Sequence, residues 1–176
     1  MTLLKIISKE KATGGVAAVY QLMEDRIRFI PNIVKLHSAS PDFFEKFMAI
    51  TGYYTDHPTL DPVLVSYIRL LISNMEGADY CVRLQSAVLN NYQIEKEDIR
   101  NACEDYYKIN MDAKGRLLLC FVMDMMYDKL SDTEGRMHAL STAGWSEKDI
   151  YEASMLAGIQ KGVTKVIKGF EVEFDF

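Results

Sequence analysis

Apolar positions along this chain fall three and four residues apart, the spacing of one helix face, far more often than they alternate. Ser40-Pro41 reads as an N-cap and first helical position. Phe43, Phe44, Phe47 and Ile50 then form the apolar face of a helix through Tyr53. Asp61-Pro62 opens the next, where Leu64, Tyr67, Ile68, Leu71 and Met75 recur at helical spacing until Gly77 breaks it. Further helices are predicted over Asp79–Asn90, over Glu95–Tyr107, and from the cap Asp112 along an apolar stretch to Lys129. Ser131-Asp132-Thr133-Glu134 has the form of a capping box for a short helix ending near Gly144. Ser146 with Asp149 opens the last helix, and Gly169 closes it. No segment offers a run of alternating β-branched residues, so the fold class is all-α.

The last helix is apolar on two sides. Met155, Ile159, Val163 and Val166 make one stripe; Ala153, Ala157 and Gly158, with Gly162 close by, make a second that lets another backbone approach. That second side is either a subunit interface or the buried flank of a central core helix. The terminal stretch Phe170 to Phe176 alternates apolar and acidic residues. Its three phenylalanines are costly to leave in water, so it is expected to lie against a neighbour. There is no repeat at a solenoid period and no long linker. Residues 1–14 read as an N-terminal arm and residues 15–176 as one helical domain.

Composition then works by exclusion. With 176 residues, 49% hydrophobic and 26% charged, the chain is globular rather than disordered. A net charge of −5 argues against nucleic-acid backbones and anionic membranes as partners. The opening residues are broken by Lys5 and carry no leader pattern, and the longest apolar run, Leu117 to Met123, is too short to span a bilayer. Three cysteines make no paired framework, so a reducing, cytoplasmic setting is expected. His37, His57 and His138 show no metal-ligand spacing, there is no phosphate loop, and neither a metal nor a cofactor is expected.

The informative stretch is Leu60-Asp61-Pro62-Val63-Leu64-Val65-Ser66, followed by Ser73-Asn74-Met75-Glu76-Gly77-Ala78-Asp79-Tyr80-Cys81-Val82-Arg83-Leu84-Gln85. With Ile30-Pro31-Asn32 and Ser40-Pro41 before it and Ala143-Gly144-Trp145-Ser146 after it, this resembles the alkylhydroperoxidase D-like family, which includes the carboxymuconolactone decarboxylases. The resemblance runs from about Gly15 to the end of the chain. It implies a helical bundle assembled as trimers or hexamers, a homo-oligomer in either case. It also implies thiol chemistry on a hydroperoxide ligand. In that family the second cysteine of a Cys-x-Tyr-Cys motif attacks the peroxide and the first resolves the sulfenate. A glutamate and a histidine relay the proton. A helix N-terminus favours the attacking thiolate, and a thiol three residues away closes the disulfide before over-oxidation.

Mapped onto this sequence, most of that machinery is gone. The first cysteine position is Ala78, the histidine position is Gln85 and the relay glutamate position is Ser66. Only Tyr80 and Cys81 remain. Gln85 cannot take up a proton near neutral pH, and Ser66 does not replace a carboxylate. The decarboxylase branch also relies on acid–base residues here, so its reaction is disfavoured too. Three functions follow. In the first, the chain is re-purposed or non-catalytic and binds a small apolar ligand or a partner at the vestigial site; in another, it is a structural subunit that uses the scaffold for assembly. In the alternative, Cys81 works as a single-cysteine, thiol-dependent hydroperoxide reductase with an external reductant, aided by Arg100 or Lys96. A free cysteine is more often a small packed residue than a nucleophile, which favours the first. Cys120, among Leu118, Leu119, Phe121 and Val122, reads as core, and Cys103 as a distant resolving thiol lacks support. Glu76 reads as a surface carboxylate at a helix end rather than a replacement acid.

Overall fold

The computed structural model describes residues 3–175. Among them are nine α-helices, two short 3-10 turns and no strand. The residues group into two compact units, one within Met1–Thr55 and Val166–Phe176, the other Asp56–Lys165. Among the described residues, no helix is long and apolar enough to cross a membrane.

The first unit holds α1 (Gly14–Ile27), α2 (Asn32–His37) and α3 (Pro41–Thr55). Val16, Tyr20, Ile30, Val34 and Phe44 form its core, with Ile7, Ala12 and Met48 packed against them. The helical period of α3 is as expected, but its buried face is rotated. Phe44 and Tyr54 are buried, whereas Phe43 and Ile50 face water. Phe43 instead stacks on Phe47, which in turn covers the ring of His37. The acidic–apolar tail lies against a neighbour within this unit. Asn32 N–H donates to Asp175 Oδ1 at 2.7 Å, and Asn32 Nδ2 donates to the Glu173 carbonyl at 3.2 Å. Phe176 lies outside the described residues.

The second unit contains α4 (Pro62–Met75), α5 (Asp79–Asn91), α6 (Lys96–Glu104), α7 (Ala113–Met126) and α8 (Thr133–Thr142). The first part of α9 (Glu147–Gly169) also belongs to it. Asp61 caps α4 by accepting the Val63 N–H at 2.8 Å. From Leu64 to Ser73 every residue but Arg69 is buried, as expected of a helix apolar on all sides. Gly77 takes a left-handed φ of +61°, and Ala78 N–H donates back to the Ser73 carbonyl at 2.8 Å. That turn lets α5 fold back along α4.

Three boundaries differ from the expectation, two of them through a local polar competitor. The helix expected over Glu95–Tyr107 stops at Glu104, because Asp105 turns extended and caps the 3-10 turn Tyr106–Lys108 by accepting the Tyr107 N–H at 3.1 Å. The helix capped by Asp112 ends at Met126 rather than Lys129. The cap of α8 is Asp132, whose carboxylate accepts the Gly135 N–H at 3.1 Å, and not Ser131. The start of α9 matches its reading: Ser146 N–H donates to Asp149 Oδ2 and Asp149 N–H donates to Ser146 Oγ, both at 3.1 Å. The small-residue stripe on α9 divides between two sides. Ala153 and Ala157 are fully buried, whereas Gly158 and Gly162 are exposed with open space beside them. Met155 and Val166, from the bulky stripe, are exposed as well.

Candidate functional site

Ser66 lies mid-helix on α4, Ala78 is the N-cap of α5, and Tyr80, Cys81 and Gln85 follow along its first two turns. All five are buried, none more than 8% exposed. Cys81 is the third residue of α5, where the helix dipole favours a thiolate. Burial is the stronger influence here. It pushes the thiol up to about 11, although hydrogen bonding with Ser73 and Gln160 pulls the other way.

Those two partners are what the sequence reading missed. Ser73 Oγ donates to the Arg69 carbonyl at 2.6 Å and accepts from Gln160 Nε2 at 3.0 Å, so α4 and α9 share a buried polar junction beside Cys81. The available signal was Gln160 itself, which shares a face of α9 with Ala153, Ala157 and Thr164 at spacings of four, three and four. Neither Ser73 nor Gln160 titrates near neutral pH. These two residues therefore supply hydrogen-bonding capacity beside the thiol, and neither can shuttle a proton.

The expected helpers lie elsewhere. Arg100 is exposed and pairs with Glu97 at 2.7 Å on its own helix, so it is not directed at Cys81. The Cys103 thiol lies near Tyr67, whose hydroxyl is buried and unbonded. Burial raises the Cys103 thiol too. Cys120 is core, its Sγ donating to the Tyr106 carbonyl at 3.8 Å. Glu76 does stand at a helix end, as the C-cap of α4, but its side chain is covered, only 7% exposed, rather than on the surface. It meets Lys165 and Lys161 from α9 and accepts from Tyr127 Oη at 3.2 Å. The Lys165 hydrogen bond is the main influence holding its carboxyl below the ordinary range. Two of its partners are cations, which suits a fixed counter-ion better than an acid poised to release a proton.

A carboxylate–histidine pair does exist in the second unit, away from Cys81. The buried His57 ring accepts the Leu60 N–H at Nδ1 (2.9 Å), which leaves its proton on Nε2 to donate to Glu152 Oε2 at 2.9 Å. Glu152 and Gln160 lie eight residues apart on α9, about 12 Å along the axis, so this pair is no substitute relay for the thiol. Thr59 bonds Asp149 beside it. The group binds the segment before α4 to the start of α9.

No family model and no curated protein sequence matches the chain. Solved structures do. An uncharacterized peroxidase-related protein from Ralstonia eutropha JMP134, described as an alkylhydroperoxidase AhpD core, superimposes with TM-score 0.85 at 15% identity, covering 99% of this chain and 92% of that one. A peroxidase-related protein from Silicibacter sp. TM1040 gives TM-score 0.80 at 16% identity, covering 98% and 94%. The debrominase Bmp8, as a cysteine-to-alanine variant in complex with 2,3,4-tribromopyrrole, gives 0.79 at 18% identity, covering 99% and 92%. Over nearly its whole length, the chain carries the AhpD-like all-α fold.

Proposed function

We propose that this chain is a re-purposed AhpD-like protein in which Cys81 is a packing residue and hydroperoxide reduction has been given up. The carrying observation is the setting of Cys81, which is 2% exposed and hydrogen-bonded to two neutral groups where peroxide chemistry needs an accessible thiolate. Ala78, Gln85 and Ser66 remove the resolving thiol and both proton carriers in the same region. What remains there is uncharged, which favours a small apolar guest or plain packing over turnover of a hydroperoxide. The debrominase supports re-purposing of this scaffold, since its complex is with a halogenated pyrrole rather than a peroxide.

The test is peroxide consumption with dithiothreitol or a thioredoxin-like donor, comparing the wild type with Cys81→Ser. Equal rates at background are expected. Consumption that disappears in Cys81→Ser would restore the single-cysteine reductase. Alkylation of the native protein gives a parallel readout: Cys103, the least buried thiol, reacts first, and Cys81 and Cys120 react only on unfolding.

A further inference from the structure

The first unit contains a cavity that the thiol region does not involve. It has a volume of ≈ 480 Å³, within the range of small-molecule sites. Ile6, Ile7, Tyr20, Phe29 and Ile30 supply apolar wall. The segment before α1 forms one side and is fixed in place: Ile7 N–H donates to Ser38 Oγ at 2.9 Å, and Tyr20 Oη donates to the Ile7 carbonyl at 2.9 Å. Lys9 closes against Glu24 across the rim, at 2.7 Å.

The charges around this wall are unequal. Lys9, Arg28 and Lys35 face Glu10 and Glu24, leaving one net positive charge. Lys9 is neutralised by Glu24, and Lys35 donates to Asn32 Oδ1 at 3.2 Å. The Arg28 guanidinium has no ion-pair or hydrogen-bond partner among the described residues. Glu10 is an ordinary exposed carboxylate, its carboxyl lowered further by backbone hydrogen bonding and by Ser8, and it repels a second negative charge at the rim. An apolar cleft with one uncommitted guanidinium and a repelling carboxylate selects a monoanion with an apolar body.

From this juxtaposition we infer that the cleft between the 6–10 segment and α1 binds a small amphipathic monocarboxylate, its head on Arg28 and its chain against Ile7, Tyr20 and Ile30. The inference is independent of what Cys81 does, and Cys81→Ser should bind as the wild type does.

The test is titration of the full chain with sodium octanoate and, separately, with 1-octanol, followed by calorimetry and by chemical shifts of Tyr20 and the isoleucines. Saturable 1:1 octanoate binding is expected, weaker for octanol by about tenfold, the worth of one charge-assisted pair. Arg28 ends α1 at a left-handed φ of +69°, a conformation glycine adopts freely, so Arg28→Gly should fold and reveal the loss of the head contact alone. Arg28→Gln, which keeps hydrogen-bonding capacity without the charge, should weaken octanoate as much and leave octanol unchanged. Absence of saturable octanoate binding overturns the inference. So does equal binding of acid and alcohol, or binding that neither Arg28 variant weakens.

Discussion

Gln160 Nε2 donates to Ser73 Oγ at 3.0 Å in the interior of the second unit. The bond joins α4 to α9 beside Cys81 and completes a chain, because Ser73 Oγ in turn donates to the Arg69 carbonyl. Both side chains are buried, so removing one strands the other away from water. Ser73→Ala is expected to cost about 1–3 kcal/mol, the penalty of an unpaired buried polar group. The double variant Ser73→Ala/Gln160→Leu should cost less than the sum of the two singles, because neither member of the pair is left facing a lost partner. Urea unfolding of the three variants measures this, and strict additivity would mean that the bond does not couple the helices.

Asp124 supplies a second buried polar centre, this one charged. It is 2% exposed on α7 and accepts from Tyr106 Oη at 2.7 Å, from Tyr107 Oη, and from Arg136 on α8 at 2.5 Å. Burial pushes its carboxyl up, but the hydrogen bonds from Tyr107, Arg136 and Tyr106 outweigh burial and hold it below 3.8. A depressed folded pKa adds stability that is complete above the unfolded value and is lost as pH falls through the folded one. Asp124 should therefore contribute to an acid limb below about pH 4. Asp124→Asn leaves Arg136 unpaired and should cost about 3–5 kcal/mol near neutral pH. It should also flatten that limb. A variant as stable as the wild type at pH 7 would show that the cluster is not a structural tie.

How much of this was legible depends on the range of the interaction. Caps written within four residues, such as Asp61, Asp112 and the Ser146–Asp149 pair, could be read directly and fixed the starts of α4, α7 and α9. The spacing around Cys81 pointed to the fold. What could not be read were choices between local competitors, as where Asp105 halts α6, and which face of a long helix turns inward. The period of α3 gave a helix, but only its packing turns Phe44 inward and leaves Phe43 and Ile50 in water. Likewise, nothing near Glu76 in sequence announces the lysines of α9, eighty-five and eighty-nine residues away, that make its covered side chain a counter-ion.

His37 makes a pH prediction of the opposite chemical kind. Its Nε2 is buried without a hydrogen-bond partner, its ring packs on Phe47 at 4.4 Å, and burial holds its pKa below the ordinary 6.5. The unfolded chain takes up this proton near pH 6.5 and the folded one resists it, so stability falls as pH drops below that value. The loss begins well above the range where Asp124 titrates. Unfolding followed from pH 8 to pH 5 should show the decline in the wild type and a flatter profile in His37→Phe, which keeps the ring contact. Identical profiles would assign the decline to another group.

The outward side of α9 bears on assembly. Tyr151 is 65% exposed and Met155 43%, and Gly158 and Gly162 follow at spacings of three and four with open space where a side chain would stand. The four positions share one face, where two large apolar side chains adjoin a smooth run of backbone. Were copies to assemble as the family resemblance implies, this face of α9 is where a second backbone would find room. Because the groups are already in water, a charge placed among them should disturb association without unfolding the protomer. Met155→Glu is therefore expected to shift the species seen by light scattering toward the 20.1 kDa monomer while the melting of the protomer stays close to the wild type at matched low concentration. A wild type that is itself monomeric at 20.1 kDa would remove the interface, and an oligomer untouched by Met155→Glu would move it to another surface.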